Sequence, residues 1–97
     1  MKFVTVEGDT ATIAVEGRYD LIKSLEVTPA VKQALAQNAN VTHIHVDFTN
    51  TSYIDSSTER DLIRLRRQVG KDNFTASGAT GMVLAALKTA KLDTWLS

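Results

Sequence analysis

Apolar residues recur along this chain with a period that switches several times, and each switch marks an element. Val4 and Val6 alternate with Phe3, Thr5 and Glu7; after Gly8-Asp9, the stretch Thr10 to Glu16 carries Ala11, Ile13 and Val15 on one side. Two short alternating runs around a Gly-Asp pair predict an antiparallel hairpin. Gly17 closes it, and Arg18-Tyr19-Asp20 starts a connection. Thr28-Pro29 is a helix-start signal, because Thr can cap the free N–H groups and Pro at the first helical position loses no hydrogen bond. Ala30, Val31, Ala34 and Leu35 then fall on one helical face. From Asp20 to Val27 the pattern is ambiguous, since Leu21, Ile22 and Leu25 also have helical spacing.

Val41 to Phe48 alternates again, with Ile44, Val46 and Phe48 on one side and His43, His45 and Asp47 on the other. Such a strand, following a helix, is expected to lie parallel to an earlier one. Thr49 to Tyr53 reads as a short polar loop that Ile54 ends. Leu62, Ile63, Leu65 and Val69 form a helical stripe that stops near Gly70. Phe74 to Ser77 is a short strand, and Thr80 is placed to cap a helix carrying Met82, Val83, Ala86, Leu87 and Ala90. Leu92 to Leu96 is too short to assign. The order β-β-α-β-α-β-α predicts an α/β domain with a mixed sheet.

Composition narrows the function classes. A length of 97 residues fits one domain, spanning 1–97. The absence of Cys excludes disulfides, thiolate zinc sites and a Cys nucleophile. Eleven basic and eleven acidic residues cancel, which removes the basic surplus that nucleic-acid binding requires. The longest apolar run, Met82 to Leu87, is far short of the roughly 20 residues of a membrane helix. The first residues lack the apolar core of a secretory signal, so a cytoplasmic protein without membrane insertion is expected.

The most informative stretch is Tyr53-Ile54-Asp55-Ser56-Ser57-Thr58-Glu59, where hydroxyl residues sit at the start of a helix. Ser56 and Glu59 have capping-box spacing. A helix N-terminus also tolerates phosphate, through its free N–H donors and partial positive charge. A phosphoserine there would add about two negative charges and leave the fold largely intact. Arg60, at i+4 from Ser56, is placed to pair with that phosphate. Both readings can hold together.

Arg60, Arg64 and Arg67 form a stripe that reads as a solvated face partly balanced by Glu59 and Asp61, or as a docking surface for an acidic partner. His43 and His45 point to the same face of a strand and can share a metal. No third ligand is evident beside them, although Asp47 continues that face, so a polar sheet face is the reading taken and no metal is expected. Asp20, Asp47 and Asp55 invite an acid–base reading, but nothing supplies a nucleophile with its base. Gly78-Ala79-Thr80-Gly81 lacks the phosphate-loop pattern and its Lys. No catalytic set and no cofactor are expected.

Ile54-Asp55-Ser56-Ser57, after the strand His43 to Phe48, resembles the signature of STAS domains, most closely that of bacterial anti-sigma factor antagonists. Val15-Glu16-Gly17-Arg18-Tyr19-Asp20 resembles the family's strand-Gly-Arg-x-Asp segment. Phe74-Thr75-Ala76-Ser77-Gly78 and Val83 to Leu87 resemble its closing strand and helix. The resemblance implies a single small STAS-type α/β domain, with a mixed four- to five-stranded sheet and helices packed mainly on one face. It also implies a non-enzymatic switch, in which a partner anti-sigma factor that is also a serine kinase phosphorylates Ser56, with Ser57 and Thr58 as lesser alternatives. Unphosphorylated, the protein binds that partner and frees the sigma factor; a phosphatase resets it. Asp20, Asp55, Ser56, Ser57, Thr58, Glu59, Arg60 and Arg64 are the implied partner surface.

Thr58 and Glu59 stand where the family usually has Gly and an apolar residue, so a different entry into the helix is expected. Many members also continue beyond the position of Trp95, and a shorter close is expected to leave a sheet edge or apolar patch for a partner to cover. Those two features fit a second role, a STAS docking subunit that binds the ATPase of a phospholipid-transport ABC system.

Overall fold

The two N-terminal strands, β1 (Val4–Glu7) and β2 (Thr10–Ala14), form the expected antiparallel hairpin, with Val4 opposite Ile13 and Glu7 opposite Thr10. Gly8 adopts φ +62 at the first loop position, which suits a II′-type turn. This is a computed structural model, and it describes residues 3–96.

The next segments depart from the sequence expectation. Gly17–Tyr19 is a strand, β3, and not the start of a connection. Helix α1 (Leu21–Gln37) begins there, capped by Asp20, whose carboxylate accepts from the Lys23 N–H at 3.1 Å. The ambiguity over Asp20 to Val27 is therefore resolved as helix, and Thr28-Pro29 is internal to it. Pro29 lies on the exposed side, as does Leu25, whose carbonyl loses its i+4 donor. The buried side of α1 carries Ser24, Val27 and Val31.

Strand β4 (His43–Asp47) runs parallel to β2, as expected, with Thr10 beside His43 and Ala14 beside Asp47. The expected polar loop contains a strand, β5 (Thr51–Ile54), paired parallel with β3. Helix α2 (Ser56–Val69) stops at Gly70, whose φ of +96 favours glycine. Strand β6 (Phe74–Ser77) pairs parallel with β4, and helix α3 (Gly81–Thr89) follows. Thr80 is at the N-cap position of α3, but its side chain makes no cap hydrogen bond.

The main sheet is mixed, in the order β1-β2-β4-β6, with β3 and β5 forming a separate parallel pair. Ala11, Ile13, Ile44, Val46, Phe74 and Ala76 are buried on the face that α1 and α2 cover. The opposite face is polar and half-buried, with Thr10, Thr12, His43, His45, Asp47, Thr75 and Ser77. Beyond α3, Trp95 is buried edge-on against Phe74, with centroids 5.0 Å apart. Leu96 then bridges Ala76 in parallel fashion. The edge expected to lie open beside β6 is thus partly covered.

Gly78 follows β6 at φ +76, where a Cβ would lie 2.8 Å from the Thr49 backbone nitrogen and 3.0 Å from its Cα. The backbone cannot yield as a flexible side chain would. Gly78→Ala should therefore cost about 2–3 kcal/mol, from left-handed strain and overpacking together, read as a lower urea midpoint at unchanged slope.

Candidate functional site

The site is built by the small β3–β5 ladder. Arg18 pairs with Tyr53 and Tyr19 with Ile54, so the chain leaves both strands side by side at Asp20 and Asp55. Each of these acids is an N-cap, Asp20 of α1 and Asp55 of α2. Asp55 serves both helices. Its Oδ1 accepts from the Thr58 N–H at 2.9 Å, and its Oδ2 accepts from the Leu21 N–H at 3.0 Å. Partial burial opposes ionisation of Asp55, yet these bonds, with one from the Ser57 N–H, outweigh it and hold the carboxyl below its ordinary range.

This geometry corrects the capping-box expectation by one residue. Asp55 is the cap, and Ser56 is the first helical residue. The Ser56 side chain is exposed, and it has no hydrogen-bond partner among the described residues. Ser57 is half-buried. Thr58 is fully buried, and its hydroxyl donates to the Tyr19 carbonyl oxygen at 2.6 Å. Thr58 is therefore corrected as both a partner-contacting residue and a phosphate acceptor: a side chain with no exposed surface reaches neither a partner nor a kinase. It ties α2 to the end of β3. Thr58→Val should cost about 1–2 kcal/mol, because the buried carbonyl loses its donor, while Thr58→Ser recovers part of this in chemical denaturation.

Glu59 is half-buried, and burial with the nearby Asp55 charge pushes its carboxyl above the ordinary value. Arg60 is exposed and makes no ion pair among the described residues. Arg64 is exposed and lies 3.4 Å from Asp61. Asp61 also accepts hydrogen bonds from Ser24 and Thr28, joining α2 to α1. Asp20 is half-buried, with Arg18 at 3.8 Å; Arg18 also lies 4.2 Å over the Tyr53 ring.

The acids weighed for acid–base chemistry all serve the backbone. Asp20 and Asp55 cap helices, and Asp47 accepts from the Thr49 hydroxyl at 2.6 Å and its N–H at 2.9 Å. The Thr49 hydroxyl and amide, in that order, hold the Asp47 carboxyl below its ordinary value against partial burial. Among the described residues, no group of three or more His, Cys, Asp or Glu could hold a metal ion. No described helix is long and apolar enough to cross a membrane.

One feature of the site was not drawn from the sequence. Leu21, Ile22 and Leu25 are 49%, 70% and 66% exposed on the first turns of α1. The Leu21–Asp55 bond sets this apolar surface against the N-terminus of α2. Their helical spacing was legible, but the side on which Ser24, Val27 and Val31 would bury was not.

No family model and no curated protein matches the chain. Solved structures do match it. The unphosphorylated anti-sigma factor antagonist SpoIIAA superposes with a TM-score of 0.81 over 96% of this chain and 82% of its own, at 21% identity. This is the SpoIIAA-like, STAS fold. The phosphorylated form of SpoIIAA, a Bacillus cell fate determinant, gives a TM-score of 0.71 over 96% and 85% of the two chains, at 19% identity. A sulfate transporter family protein from Wolinella succinogenes gives 0.68 over 95% and 79%, at 13% identity. At such identities the likeness to SpoIIAA is one of fold.

Proposed function

We propose that the chain is a non-enzymatic, cytoplasmic binding switch of the anti-sigma factor antagonist type. Unphosphorylated, it docks an anti-sigma factor that is also a serine kinase, and so releases a sigma factor. Phosphoryl transfer from ATP to Ser56 Oγ ends that binding, and a phosphatase restores it. The observation that carries this reading is the division of labour at the start of α2: Asp55 does the capping, which leaves the Ser56 hydroxyl exposed and unengaged. A phosphate there meets the positive end of the helix, and Arg60, which makes no ion pair among the described residues, is one turn away. It also borders the apolar surface of Leu21, Ile22 and Leu25, where a dianion opposes docking through its desolvation cost. The fold shared with both forms of SpoIIAA supports the same reading.

Incubation with the cognate kinase and labelled ATP tests it. Wild type and Ser57→Ala should take up label, and Ser56→Ala should not. Equal labelling of Ser56→Ala would make the acceptor assignment wrong.

A second reading, a docking subunit that binds the ATPase of a transport system, draws on the shared fold of the sulfate transporter family protein. Recovery of an ATPase and no serine kinase in a pull-down from native cells favours it over the first.

A further inference from the structure

The polar face of the main sheet, opposite the helices, holds two imidazoles that the switch does not use. His43 and His45 occupy alternate positions of β4, the strand flanked by β2 and β6, so their backbone is fixed from both sides. Their side chains meet at one atom. His43 Nε2 lies 3.1 Å from Thr75 Oγ1, and His45 Nδ1 lies 2.7 Å from the same oxygen. The other nitrogen of His45, Nε2, lies 2.8 Å from Ser77 Oγ.

We propose that His43 and His45 form a two-imidazole site for a late first-row divalent cation, the ion taking the place between the two ring nitrogens that the Thr75 hydroxyl bridges. Three features support this. A hydroxyl has one proton, so Thr75 can donate to only one of the two rings and must accept from the other. A cation has no such limit and accepts a lone pair from both. Ser77 can accept the Nε2 proton of His45, which fixes the ring and leaves Nδ1 as the free lone pair, the outer-shell support that metal-bound histidines commonly have. Finally, Glu7 and Asp47 share this face. The acidic surroundings favour a cation.

With two protein ligands and water completing the shell, the site suits imidazole-preferring ions, with Cu2+ above Ni2+ and Zn2+. His43 binds through Nε2 once its proton resides on Nδ1, and no proton need leave the ring. The absence of a third His, Asp or Glu ligand makes this an open, exchangeable site and not a buried structural one.

Titration of the untagged full chain with Cu2+ in a non-coordinating buffer tests the proposal by calorimetry and electron paramagnetic resonance. One ion should bind, with hyperfine structure from two imidazole nitrogens. His43→Ala and His45→Ala should each weaken it at least tenfold or so, since even an outer-shell partner is worth roughly 10–100-fold. Thr75→Ala, which clears the position between the two rings, should leave binding in place, because the hydroxyl is displaced and is not a ligand. Binding that survives both histidine substitutions overturns the proposal, as does a failure to bind at millimolar Cu2+. Should a variant not fold, the wild-type spectrum decides: fewer than two imidazole nitrogens overturns it.

Discussion

Ser56→Glu should weaken binding to the proposed anti-sigma factor partner by roughly 100-fold or more, equivalent to about 3 kcal/mol, and leave the chain folded. Both halves follow from position. Ser56 is the first residue of α2 and is exposed, so a carboxylate there meets the positive end of the helix and stabilises it by about 0.3–1 kcal/mol. A partner seated on Leu21, Ile22 and Leu25 would instead have to desolvate that charge or place it against its own surface. Ser56→Ala removes a hydroxyl that bonds nothing among the described residues, so it should bind like wild type. Calorimetric titration with the partner, beside thermal melts, separates the two effects. Equal affinity for wild type and Ser56→Glu would remove Ser56 from the docking surface.

Asp55→Ala should cost about 2–3 kcal/mol of stability. It removes the cap of α2 and the link from that cap to the Leu21 N–H. Asp55→Asn should fall between, since Asn caps about as well as Asp but its amide NH2 cannot accept from Leu21. The effect depends on pH in a defined direction. The folded Asp55 carboxyl is held below its ordinary value, so its contribution is fully present above the unfolded pKa of about 3.9. It is lost as pH falls through the lower folded value. Glu59 acts in the opposite sense: its raised value means the ionised form costs stability, and the cost is relieved as pH falls. Urea midpoints for wild type and Asp55→Ala should therefore differ most near neutral pH and converge in strong acid. A difference that is constant with pH would mean the carboxylate charge is not what holds the two helix starts together.

The elements readable from sequence were those long enough to show a period. Val41 to Phe48 alternates over enough residues to declare a strand buried on one side, and the stripe from Leu62 to Val69 spans two helical turns. The β3–β5 ladder was hidden because Gly17–Tyr19 has three residues and Thr51–Ile54 is largely polar, so neither carries a measurable period. Yet that ladder is what sets Asp20 beside Asp55. Thr28-Pro29 drew the helix start too late, since an exposed Pro on a helix with a packed opposite side loses one solvent-facing bond without ending it. At the site, the Asp-Ser-Ser stretch was visible, but the capping role belonged to Asp55 and not Ser56. Local spacing permits both, and the Leu21 N–H, 34 residues away, uses the remaining oxygen of Asp55. The role of Thr58 was likewise invisible, because it depends on a carbonyl 39 residues distant.

The proposed switch depends on which hydroxyl carries the phosphate. Mass spectrometry of the protein isolated from its native cells, with fragmentation across residues 53–60, tests that directly. One phosphate on Ser56, absent from Ser57 and Thr58, is the predicted result. Phosphate on Ser57 or on the buried Thr58 while Ser56 stays unmodified would contradict it.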